Sequence, residues 1–138
     1  MIFQDYKLIP SKTVFENIAY ALEICQYGKH TIMRRTKELL SEVNMLHKKD
    51  EYPSDLSGGE SQRVAIARAL IHEPHTILAD EPTGHLDQKN TVMIMDFLKK
   101  IHASGTTIIF ATHDRDLFDL VPSSRVIDID LLHHIPIS

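Results

Sequence analysis

Apolar positions along this chain follow two rhythms, and each rhythm predicts its own kind of element. From Ser11 to Cys25, Val14, Ile18, Ala21 and Leu22 recur at helical spacing behind Thr13 and Glu16, a capping-box pair. Phe15 and Tyr20 are expected to pack on the same stripe. Gly28 to His30 break the pattern. A second helix is predicted from about Thr31 to Asn44, with Ile32, Leu39, Leu40 and Val43 on one side. Its charged residues Arg34, Arg35, Lys37 and Glu38 read as a solvated face. Leu46 to Asp55 is polar, Pro53 is expected to stop any helix there, and His47, Lys48 and Lys49 read as solvent-exposed. Val64 to Leu70 is apolar and strongly helix-forming, which predicts a buried helix. Gln88 to Ser104 is amphipathic, with Val92, Ile94, Met95, Leu98 and Ile101 inward. Lys99, Lys100 and His102 suit its negative end, and Gly105 closes it. Arg115 to Val121 reads as a short helix.

The second rhythm is the short, unbroken apolar run. Thr76 to Ala79, Thr106 to Ala111 and Val126 to Ile129 read as buried parallel strands. Ile2-Phe3 looks like the tail of another. Strands alternating with helices predict an α/β fold with a mostly parallel sheet.

Composition narrows the class. A chain of 138 residues allows one domain, and 43% hydrophobic content allows a core. Net charge of −4 gives no support for general nucleic-acid binding. The single cysteine, Cys25, excludes an intramolecular disulfide and fits a reducing compartment. No apolar run reaches the length of a membrane span, and Met1 to Asp5 does not read as a signal peptide. A cytoplasmic chain, reaching a membrane only through a partner, is expected.

The chemistry gathers between Leu56 and Asp87. Ser57 is an N-cap with Glu60 three residues on, and Gly58 and Gly59 allow close backbone approach at the first turn. Such a helix start presents free N–H groups to an anion. Asp80 and Glu81 end the first strand, at the edge where open α/β sheets place ligands. Asp80 suits Mg²⁺, and Glu81 suits orienting or deprotonating a water. Pro82 and Gly84 turn the chain out of the sheet. His113 follows the second strand and is expected on the same edge. His72 and His75 lie three apart, without the further ligands that zinc requires. Gln4, after its strand tail, offers both a carbonyl and an amide.

These segments resemble the motifs of ABC-type ATPases, in the family's order and spacing, over residues 2 to about 130. Leu56 to Glu60 is similar to the signature motif, and Ile77 to Glu81 to the Walker B strand with its catalytic glutamate. Gly84 to Asp87 resembles the D-loop, Ala111 to Asp114 the switch histidine, and Phe3 to Asp5 the Q-loop. The resemblance implies a P-loop NTPase core with a helical subdomain at about 11–72, and Walker B, D-loop and switch segments at about 73–130. It implies ATP and Mg²⁺, with Glu81, His113 and Gln4 catalytic. Ser57, Gly58, Gly59, Glu60 and Asp87 would be nucleotide-binding, and Asp80 with Gln4 would be metal-binding. The partners it implies are a second copy or an intact ABC ATPase subunit, and an integral membrane subunit.

Phe3 to Pro10 and Lys12 to Glu23 resemble the cell-division branch of the family, whereas Asp80 to Gly84 is shared with its lipoprotein-release and export branches. Departures are Ser61, where Gln or Arg is usual, and His85, where Asn is usual. The P-loop pattern G-x-x-x-x-G-K-[ST] is absent from the 138 residues. The expectation is therefore the C-terminal part of an ABC ATPase domain, impaired alone, or a non-catalytic remnant that acts by partner binding.

Overall fold

The structure, a computed structural model, describes residues 1–2, 5–122 and 124–127. Helix α1 spans Val14–Ile24 and α2 spans Lys29–Glu42. Two 3₁₀ turns, Leu46–Lys48 and Pro53–Asp55, lead to α3, Gly58–Leu70. Strand β1, Thr76–Asp80, is followed by α4, Gln88–Ala103, then β2, Thr107–Ala111, and α5, Asp116–Leu120.

The helix starts follow from local chemistry. Thr13 and Glu16 form a reciprocal capping box, with Thr13 N–H donating to the Glu16 carboxylate at 2.8 Å. The fully buried Asn17 pins the preceding turn to α1. Its Oδ1 accepts from Ile9 N–H at 2.7 Å, and its amide donates to the carbonyls of Ile9, Lys12 and Thr13. Gly105, at φ +107°, lies in the left-handed region just beyond α4. Pro53 opens a 3₁₀ turn rather than only ending a helix, because its fixed φ suits a first helical position.

β1 and β2 pair in parallel, from Thr76 opposite Thr107 to Asp80 opposite Ala111. Ile2 adds a parallel bridge on the other side of β1. Its N–H donates to Leu78 O at 2.7 Å, and its carbonyl accepts from Asp80 N–H at 2.9 Å. The tail of a strand expected at Ile2 is thus seated beside Ala79.

Two apolar cores share α3. One holds Val14, Ile18, Leu22, Leu40 and Met45 with Val64, Ala67 and Ile71. The other holds Ile2, Ile77, Ala79, Ile94, Met95, Leu98 and Leu117 with Ile66.

The structure corrects several sequence expectations. The strands are buried on one face only, and Leu78 (47% exposed) and Ile109 (55% exposed) stand side by side on the other. Among the described residues no element covers that face. Tyr20 turns outward, with the Lys12 ammonium 4.8 Å from its ring centroid, and Val92 is also exposed. Arg125 to Ile127 is irregular rather than strand, and the rest of that expected strand, 128–129, lies outside the described residues. No helix among the described residues is long and apolar enough to cross a membrane.

Candidate functional site: two helix starts against the carboxyl ends of the strands

The parallel register brings the ends of β1 and β2 level, so the residues that follow each strand meet. Glu81 N–H donates to Ala111 O at 2.9 Å, extending the ladder by one bond. Glu81 itself has φ +44°, a strained conformation for a side chain larger than glycine. That backbone turns its carboxylate toward the segment after β2. Oε1 lies 2.5 Å from His113 Nδ1 and accepts from His113 N–H at 2.9 Å, while Oε2 accepts from the Thr112 hydroxyl at 3.1 Å. Partial burial pushes the Glu81 carboxyl up, but the His113 ring, the His113 N–H and the Thr112 hydroxyl outweigh it. The group sits below the ordinary carboxylate range.

His113 is 84% exposed at its side chain against 17% for Glu81, so the ring faces solvent while the carboxylate is largely covered. Asp80, the last residue of β1, is exposed and makes no ion pair among the described residues. An open depression of about 440 Å³ lies beside Glu81 and His113, and Arg115, which no motif marks, lines it too.

The start of α3 forms the second part. Ser57 Oγ accepts from Glu60 N–H at 3.4 Å, and the Glu60 carboxylate accepts from Ser57 N–H at 2.8 Å. Lys48 lies 3.1 Å from Glu60 and 3.2 Å from Glu51. Lys48 therefore braces this turn instead of facing solvent idly, a role its own neighbourhood in sequence does not announce. The Ser57 N–H, the Lys48 ammonium and the Ser57 hydroxyl, acting against partial burial, lower the Glu60 carboxyl to about 2.

The glycines fit a crowded place. A side-chain carbon at Gly59 would lie 2.5 Å from Asn90 Oδ1, and one at Gly58 would lie 3.0 Å from the Tyr6 hydroxyl. Asn90 is held by Asp87, the N-cap of α4, which accepts from Asn90 N–H at 2.8 Å and from its side-chain amide at 3.1 Å. The starts of α3 and α4 thus abut, α3 closed by the Ser57–Glu60 capping box and α4 by the Asp87 carboxylate. At α3's far end, Arg68 donates to Tyr6 O at 2.9 Å and Lys7 O at 2.8 Å, tying the segment after Gln4 to the same helix. Tyr6 and Lys7 both have positive φ, which that clamp holds.

The structure therefore joins Glu81 with His113 behind Asp80, and joins Ser57, Gly58, Gly59 and Glu60 with Asp87. Gln4 lies outside the described residues. The carboxylates of Glu60 and Asp87 are engaged within the chain. Among the described residues no cluster of three or more His, Cys, Asp or Glu could cage a metal. A lone exposed Asp80 carboxylate fits Mg²⁺ of the kind that takes one or two protein oxygens and its remaining ligands from phosphate and water.

Several known proteins resemble this chain. The family model described as ABC transporter matches residues 1–84. The Cell division ATP-binding protein FtsE of Streptococcus pneumoniae is 48% identical over 130 residues, 94% of this chain and 56% of the relative. FtsE of Bacillus subtilis is 43% identical, covering 94% of this chain and 57% of its own. The Methionine import ATP-binding protein MetN 1 of Acinetobacter baylyi is 48% identical over 115 residues, 83% of this chain and 32% of the relative. A solved dimeric ATP-binding cassette in a post-hydrolysis state, bound to ADP and Pi, superposes with a TM-score of 0.74 at 38% identity. That match covers 86% of this chain and 53% of the other. The chain spans just over half the length of the FtsE relatives it matches. On these matches, and on its α/β fold, the chain belongs to the ABC transporter family.

Proposed function

We propose that this chain is the signature-bearing and Walker B-bearing part of an ATP-hydrolysing ABC subunit of the cell-division FtsE type. The observation that carries the reading is the Glu81–His113 pair at 2.5 Å, one residue beyond the exposed Asp80 at the carboxyl edge of β1. In this reading Glu81 polarises the water that attacks the γ-phosphate, and His113 contacts that phosphate. Asp80 and Gln4 hold Mg²⁺, which neutralises developing phosphate charge when bound. Ser57, Gly58 and Gly59 face a γ-phosphate held by a second copy or an intact ABC ATPase subunit, with Glu60 and Asp87 keeping the two helix starts in place.

The FtsE relatives support a division complex, in which the motion would pass to an FtsX-like integral membrane subunit. That would place the chain in the cytoplasm at the inner face of the membrane. The MetN relative keeps an export or import ATPase as the second reading, alongside a non-catalytic remnant that binds partners only.

Phosphoryl transfer needs a backbone cradle and a lysine on the β- and γ-phosphates, and the 138 residues contain no P-loop pattern. The isolated chain should therefore bind ATP weakly. A fluorescent-nucleotide titration should show no saturation at micromolar concentration. Adding an intact FtsE-type subunit should produce Mg²⁺-dependent co-assembly that Ser57→Arg abolishes. Micromolar ATP affinity of the chain alone, or co-assembly indifferent to Ser57, would overturn the reading.

A further inference from the structure

Gln62 is fully buried in α3, and the proposed chemistry makes no use of it. Its side-chain amide donates to the carbonyl of Pro82, the residue immediately after Glu81. Its Oε1 is buried and has no partner among the described residues. A buried orphan acceptor costs about 1–3 kcal/mol, so an apolar side chain of the same shape would serve packing better. The amide therefore does something that packing alone does not ask for.

What it holds is the turn that aims Glu81. Glu81 sits at φ +44°, and such a conformation persists only where its surroundings over-determine it. Glu81 N–H bonds Ala111 O, Gly84 N–H bonds Glu81 O at 3.1 Å, and Gln62 bonds Pro82 O. The first two bonds come from the sheet and from the turn itself. Only the third, among the described bonds, reaches the turn from the helix that begins at Ser57.

We propose that Gln62 is a positioning residue that links the start of α3 to the turn carrying Glu81, so that a displacement of one moves the other. A ligand pressing on Ser57–Gly59 would then act through Gln62, about one helical turn along α3, on the aim of the same chain's Glu81. The inference deepens the reading of Glu81 as the water-polarising group, but its test needs no nucleotide and stands or falls separately from that reading.

The test is amide hydrogen exchange on the 138-residue chain. Gln62→Met keeps shape and removes the donor. Protection at Gly84 and at the His113 amide should fall about tenfold, the worth of one hydrogen bond to a buried carbonyl, while protection within α1 and β1 holds. Gln62→Glu should lose the same protection factors when ionised, and regain them at acid pH when its carboxyl can donate to Pro82 O. A role confined to packing would instead lower protection in α3, β1 and β2 together. That pattern, or unchanged protection at Gly84 and His113 in Gln62→Met, would overturn the proposal. Should Gln62→Glu fail to fold, Gln62→Met alone decides it.

Discussion

At the scale of single residues, the start of α3 rests on charges whose worth depends on pH. The Glu60 carboxyl titrates near 2 in the fold against 4.5 when unperturbed, held down by the Ser57 N–H, the Lys48 ammonium and the Ser57 hydroxyl. A lowered folded value means stability that is fully present above pH 4.5 and drains away as pH falls toward 2. Urea unfolding of Glu60→Gln should therefore show a smaller loss between pH 4.5 and 2 than the parent. At neutral pH the substitution should cost about 0.5–1 kcal/mol, since Gln can still accept from Ser57 N–H. Gly59 yields a second expectation. Gly59→Ala drives a methyl into Asn90 and should destabilise by about 1–3 kcal/mol. Asn90→Ala opens that space, so the double variant should be more stable than the sum of the single changes allows, with a coupling of about 1 kcal/mol or more in a double-mutant cycle. These residues also mark where sequence reading stops. Ser57 with Glu60, and Thr13 with Glu16, are three apart, and their caps can be read directly from the chain. Lys48, Gln62 and Asn90 act across folded space, and nothing local distinguishes them from ordinary surface or core positions.

At the scale of elements, the apolar runs announced two strands correctly but overstated their burial. A parallel strand earns a continuous apolar run by being covered on both faces. Here α4 and α3 cover Ile77 and Ala79, whereas Leu78 and Ile109 face outward in register. The run was legible because it depends on sequence alone, while the open face depends on what else packs there. The two faces should respond differently to substitution. Ile77→Ala, at a site 2% exposed, should lose about 2–5 kcal/mol in equilibrium unfolding. Leu78→Thr with Ile109→Thr should change stability by about 0.5 kcal/mol or less each. The same pair should reduce self-association in sedimentation velocity, because exposed apolar faces on sheets drive contact between copies. Helix α4 shows the same limit on a smaller scale. Its period placed Ile94, Met95, Leu98 and Ile101 inward correctly, but Val92, two residues before the first covered position, stays exposed.

At the scale of the whole molecule, α3 decides whether the two cores behave as one. Val64 and Ala67 enter the helical core, while Ile66, with Ala69 and Leu70 packed alongside, enters the sheet core from the same thirteen-residue helix. Arg68 and Gln62 add hydrogen bonds from that helix to the segments after Ile2 and after Glu81. An element shared so evenly cannot lose one core and keep its place in the other, so both should melt in one transition. The sequence supplies a convenient probe. There is no tryptophan, and all four tyrosines, at positions 6, 20, 27 and 52, precede α3. Tyrosine fluorescence therefore reports the helical side, whereas far-ultraviolet circular dichroism also counts α4 and the strands. The two curves should coincide in denaturant. Ile66→Ala, a deletion in the sheet core alone, should weaken the fold by about 2–5 kcal/mol and carry the tyrosine transition to lower denaturant by the same amount as the dichroism. A tyrosine transition left in place would mean that the helical side stands without the sheet, and that α3 transmits nothing between them.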